Sequence, residues 1–158
     1  TGEDTLSLHD ALPIYCCAKI VAEGIAALED GTQAFVDQDL ETLMSYYPPH
    51  PVYSVGPVGT PFITSKSELR QSFIDRFSNF TFTSDISNLH YSAYCPNTVI
   101  AEGIIYATAQ TKAGGEPFPI TTNGVFQLTR NPFYCPENPN SRKWLVAIEY
   151  CVILPPPQ

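Results

Sequence analysis

Between residues 97 and 111 the chain reads NTVIAEGIIYATAQT, rich in β-branched residues and bounded by turn signals on both sides. Side chains alternate along a strand, so Ile100, Glu102, Ile104 and Tyr106 share one face. That face is apolar apart from one carboxylate, and a polar group among apolar neighbours is an informative residue. Residues 120–130 and 143–154 alternate in the same way and are expected to pair beside this strand. The Gly114-Gly115 hairpin signal joins the first of them to it. Residues 80–94 read as one further strand, bent or bulged, and Cys95-Pro96-Asn97 turns the chain out of it.

The pattern before residue 80 is helical. Ile20, Val21, Ile25, Leu28 and Phe35 fall near a 3.6-residue period, with Glu23, Glu29 and Asp30 expected to face outward. Gly24 and Gly31 weaken this helix, and a kink is expected near Gly31. Asp39 reads as the N-cap of a short helix over residues 40–47, which Pro48, Pro49 and Pro51 end. Residues 52–55 form a short strand. Ser65-Lys66-Ser67-Glu68 fits a capping box opening a helix to about Phe77. Helices followed by an antiparallel meander define an α+β domain.

Residues 5–14, TLSLHDALPI, translate a common short-read sequencing adapter, and residues 1–4 fit the index that precedes it. The expected organisation is a non-native segment over 1–14, one domain over 15–154, and a proline tail over 155–158. Such a sequence comes from assembled metagenomic or transcriptome reads. The compartment is then not readable from the N-terminus, and His9 and Asp10 carry no function.

The remaining length buries roughly two-thirds of its unfolded surface. Hydrophobic residues are 44% and charged residues 15%, which sets the chain apart from disordered sequences. A net charge of −8 with no basic cluster argues against nucleic acid and anionic membranes as partners. No apolar run approaches the roughly 20 residues of a membrane helix.

The order of elements, with AFVDQDLETLMSYY (34–47), SKSELRQSF (65–73) and WLVAIEY (144–150), resembles the SnoaL-like and ketosteroid-isomerase-like domains of the nuclear transport factor two superfamily. That resemblance implies a cone-shaped antiparallel sheet curved around the N-terminal helices, a cystatin-like α+β barrel enclosing an apolar pocket. Fold alone does not decide the chemistry. Aligned on Asp39-Leu40, the isomerase's general base falls at Val55 and its oxyanion tyrosine at Gly31. Aligned on Phe126, its protonated aspartate falls at Gly124. All three positions lack the required group, which excludes a steroid isomerase of that constellation.

The same alignment points Glu102, Ile104 and Tyr106 into the pocket, together with Leu145, Ala147, Glu149 and Cys151. Glu102 and Glu149 would then face one cavity from strands separated by one neighbour, with backbones roughly 10 Å apart. Burial and mutual repulsion raise one pKa of such a pair and divide it into acid and base. Asn123 or Tyr106 would steady an oxygen, and Tyr53, Ile104, Tyr106, Phe126 and Ala147 would contact substrate. The competing placement is a convex-face position or an ion pair with Arg130, Arg142 or Lys143.

The expected activity is an isomerisation, cyclisation, dehydration or epoxide opening on a small apolar substrate, with no cofactor and no metal. A non-catalytic binder of an isoprenoid or carotenoid, and an assembly domain, are the alternatives. A homodimer through the convex sheet face is expected. His50 and His90 lack a close carboxylate partner and make no zinc set. Cys95 and Cys135 both occur as Tyr-Cys-Pro, in loops at one end of the meander, so a disulfide between them is open in an oxidising compartment. The sequon Asn79-Phe80-Thr81 accords with such a compartment. Cys151 reads as a small core residue.

Overall fold

The computed structural model describes residues 8–158, with side chains from residue 17 onward. Of the segment expected to be adapter-derived, residues 1–7 lie outside the described residues. Nine elements follow in order: α1 (Leu8–Val36), α2 (Leu40–Ser45), β1 (Val52–Gly56), α3 (Lys66–Asn79), β2 (Phe80–Asp85), β3 (His90–Tyr94), β4 (Thr98–Thr111), β5 (Phe118–Arg130) and β6 (Trp144–Ile153).

The helix starts follow the caps. Asp39 accepts from the Thr42 amide at 3.1 Å to open α2, and Ser65 accepts from the Glu68 amide to open α3. α1 runs unbroken through Gly24 and Gly31. At Gly24 a β-carbon would lie 3.0 Å from Val99, so glycine here lets α1 press closely on β4. Glu23 does not face outward as expected. It accepts from the Lys143 ammonium at 2.7 Å and the Trp144 indole at 2.8 Å, tying α1 to the start of β6.

The strands form one curved, unclosed sheet of order β1-β6-β5-β4-β2, with β3 also on β4. β1 runs parallel to β6 and every other pair is antiparallel. β2 and β3 are the expected single strand broken in two; both lie along the same edge of β4. Opposite the break sits Gly103 at φ 148°, where a β-carbon would approach the Asn88 carbonyl to 2.7 Å.

The concave face carries the core. On β4 it presents Val99, Ala101, Ile105, Ala107 and Ala109, and the convex face carries Ile100, Glu102, Ile104 and Tyr106. The larger residues of this strand therefore lie outside and the smaller inside, because α1 crowds the concave side. On β6 the pattern shifts phase. Between Gln127 and Leu128 of β5 the partner moves from Ile148 to Val146, leaving Ala147 as the extra residue of a bulge. Trp144 and Val146 face the core before it, and Glu149 and Cys151 after it.

The expected Cys95–Cys135 pairing is not the one observed. Cys95 is bonded to Cys17, with Cα atoms 5.6 Å apart, and Cys135 is free and exposed. No helix among the described residues is long and apolar enough to cross a membrane.

Candidate active site

Between the helices and the concave face lies a cavity of about 250 Å³, mostly apolar in lining. Strand register brings its polar centre together. Glu149 is paired with Tyr53 of β1 on one side and Phe126 of β5 on the other, so the three share the concave face. Tyr47 approaches from just beyond α2. Its position is held by the Val146 amide bonding the Tyr46 carbonyl at 2.7 Å, and by the Lys66 ammonium bonding the Tyr47 carbonyl at 2.7 Å. Arg76 arrives from α3, one turn past Phe73.

The Tyr47 hydroxyl donates to Glu149 Oε2 at 2.5 Å. Arg76 Nη1 donates to the Tyr53 hydroxyl, and its guanidinium lies 5.4 Å from the centroids of both the Tyr53 and Phe73 rings. A hydroxyl that accepts from arginine keeps its own proton to give. Glu149 is the cavity's one carboxylate and Arg76 its one cation. They do not reach ion-pair distance of each other.

Burial pushes the Glu149 carboxyl up to about 7, although the Tyr47 hydrogen bond and the Arg76 charge both pull it down. Glu149 is half-buried and lines the cavity. Burial, then the nearby Glu149 charge, raises Tyr47 well above an ordinary tyrosine. Burial likewise raises Tyr53 and Cys151, so both stay protonated and Cys151 offers a thiol rather than a thiolate.

Three of the expected site residues, Glu149, Tyr53 and Phe126, line this cavity. Five do not. Glu102 and Asn123 are exposed, and Tyr106 is 52% exposed, all on the convex face. Ile104 shares that face with them, one residue from the inward Ile105. Ala147 is the bulge residue and is absent from the lining. The two-carboxylate pair is therefore corrected to a single carboxylate. The cause is phase: β4 carries apolar residues on both faces, so alternation cannot choose between them.

Arg76 escaped the sequence reading, yet it carried a signal. Leu69, Phe73 and Phe77 form the buried stripe of α3, and Arg76 is seven residues from Leu69, on that stripe. A cation at an apolar-face position is the kind of exception that marks a site. Tyr47 entered the sequence reading only as the last residue of the short helix over 40–47. Gly31 and Val55 line the cavity, and Gly124 faces it with no room for a side chain. A β-carbon on Gly124 would lie 2.9 Å from both Cys151 Sγ and Ile105 Cδ1.

No family model matches the chain, and no curated protein does. Solved structures do. A ketosteroid isomerase-like protein from Erwinia carotovora atroseptica superposes with a TM-score of 0.68 at 19% identity, covering 86% of this chain and 97% of that one. ActVI-ORFA from Streptomyces coelicolor gives 0.65 at 9% identity, covering 85% and 97%. An epoxide hydrolase of M. tuberculosis, described as LEH-like, gives 0.58 at 16% identity, covering 84% of each. The chain thus shares the α+β fold of these proteins, helices packed against one curved, unclosed sheet.

Proposed function

We propose that this chain is an acid–base catalyst acting on a small apolar substrate, with Glu149 as the group that moves the proton. The observation that carries the reading is a carboxyl pushed to about 7 in a largely apolar cavity, beside a tyrosine hydroxyl backed by arginine. A base titrating near the working pH combines correct protonation with useful driving force. Glu149 takes the proton from a carbon next to a carbonyl, and returns it elsewhere on the frame. The Tyr53 hydroxyl, polarised by Arg76, donates to the oxygen where negative charge develops. Isomerisation or dehydration of a cyclic ketone fits these roles. The fold is shared with a ketosteroid isomerase-like protein and an LEH-like epoxide hydrolase, which supports chemistry in such a cavity without naming the substrate.

The test is proton exchange. Incubated in D2O with 1-indanone or 2-tetralone, the wild type should deuterate the α-carbon faster as pH rises through about 7. Glu149→Gln should show only background exchange. Equal rates in the two proteins would remove the acid–base reading. A second reading, a non-catalytic binder of an apolar ligand, is favoured by the Tyr47 hydrogen bond that already occupies Glu149 Oε2. Binding without exchange would select it.

We further propose a homodimer through the convex face. Tyr106, Val125 and Tyr150 are exposed there, and Phe62 stacks on Tyr150 at 5.7 Å. Light scattering on wild type and Val125→Glu tests this association, with a wild-type monomer as the outcome that removes it.

A further inference from the structure

Arg76 is a cation set into an apolar cavity, and among the described residues no carboxylate forms an ion pair with it. Its guanidinium carbon lies 5.4 Å from the centroids of both the Tyr53 and the Phe73 rings, which pack edge-on against each other. A guanidinium has five N–H donors. Among the described residues, the hydrogen bond to Tyr53 is the only one it makes. Glu149 is the nearby negative group, and around neutral pH it is divided between its charged and neutral forms. Arg76 is half-buried, and a cation partly withdrawn from water without a full counter-charge is unfavourable unless something else supplies the charge. The Tyr53 hydroxyl accepts from the guanidinium and keeps its own proton to give, so the planar guanidinium fork and the hydroxyl together offer donors at the cavity. Planar donors of this kind match the two oxygens of a carboxylate.

We infer that the cavity's ligand is a small carboxylic acid with one or two rings, its carboxylate docked on Arg76 and the Tyr53 hydroxyl. The size follows from the cavity, whose volume of about 250 Å³ is just below the usual range for drug-sized ligands. The apolar frame lies against Phe73, Ile105, Phe126 and Val146, which contribute no charge. Because Tyr53 is paired with Glu149 across β1 and β6, a ligand held at Tyr53 has its neighbouring carbons beside Glu149. The inference goes beyond the acid–base reading and does not rest on it: an acid docked here occupies the Tyr53 hydroxyl that in that reading donates to the developing oxyanion, so acid and ketone compete for one site.

Isothermal titration with four probes tests it: benzoate and 1-naphthoate against benzyl alcohol and 1-naphthalenemethanol. Wild type should bind each acid at least tenfold more tightly than the matching alcohol. Arg76→Gln should lose that preference, and Arg76→Lys, which keeps the charge but not the fork, should keep part of it. Glu149→Gln, which removes a competing negative charge, should keep the preference or sharpen it. If Arg76→Gln does not fold, the Lys variant and Tyr53→Phe decide: each should weaken acid binding severalfold and leave alcohol binding alone. Equal binding of acid and alcohol, retained preference in Arg76→Gln, or no binding at millimolar probe would overturn the inference. Acid binding without proton exchange on any ketone would leave it standing and remove the acid–base reading. Exchange without acid preference would do the reverse.

Discussion

The Tyr47 hydroxyl lies 2.5 Å from Glu149 Oε2, closing 102 positions of sequence between the end of α2 and the last strand. The contact joins the helical layer to the sheet at the one carboxylate of the cavity. It also stabilises the charged form of a group whose burial favours the neutral form. Glu149 is thereby kept near the middle of the physiological range rather than far above it.

The raised pKa of Glu149 has a stability consequence. The unfolded chain loses this proton near the ordinary value of 4.5, and the folded chain near 7. Between those values the folded state holds more protons, so its stability falls as pH rises. The full loss is on the order of 3 kcal/mol. Denaturant melts should therefore show wild type losing stability from pH 5 to pH 8 relative to Glu149→Gln. Parallel profiles for the two proteins would mean that Glu149 titrates in contact with water.

Replacing Tyr47 by Phe tests the same contact from the other side. The variant removes a donor and leaves a carboxylate oxygen without it, at a cost of about 1–3 kcal/mol. The loss should be larger at pH 8, where Glu149 is charged, than at pH 5. By NMR the Glu149 carboxyl should titrate higher than in wild type. A cost independent of pH would assign Tyr47 to packing alone.

Helix caps and strand pairing were legible because each rests on a local rule, a side-chain cap or a period, whereas Glu149 was placed by the family resemblance, which pointed Glu102 and Ala147 inward as well. Glu102 was misplaced because Ile100, Ile104 and Tyr106 look like a core face. The true concave face of β4 carries three alanines with Val99 and Ile105, and Val99 packs closely under Gly24 of α1. Ala147 was misplaced by one inserted residue, since a bulge reverses the facing of everything on one side of it. Arg76 was legible only as an exception on a helix stripe, and the Tyr47–Glu149 contact spans too much sequence for any local pattern to show.

Glu102 now serves as the control. Exposed on the convex face, it should tolerate Glu102→Gln within about 0.5 kcal/mol, with proton exchange unchanged. A large effect on either measurement would place the reacting groups outside the cavity.

Gly103 should be intolerant. Its φ of 148° is open to glycine and unfavourable for other residues, and a β-carbon would meet the Asn88 carbonyl at 2.7 Å. Gly103→Ala should cost about 2–3 kcal/mol in a denaturant melt, from strain and the displaced β2–β3 loop. A neutral substitution would show that the break in the edge strand relaxes freely.

The Cys17–Cys95 bond fastens the N-terminal part of α1 to the β3–β4 turn across 78 positions. Closing a loop of that length restricts the unfolded chain, worth about 4–5 kcal/mol in the chain-entropy description. At this size a change of that order should shift the melting temperature by roughly 10 °C. Cys95→Ser, and wild type under reductant, should both show this loss, and a double replacement with Cys17→Ser should add nothing further. Proteolytic mapping under non-reducing conditions should recover the Cys17 and Cys95 peptides joined, with exposed Cys135 open to alkylation. Recovery of Cys95 joined to Cys135, or a melting temperature indifferent to reductant, would release α1 from the turn.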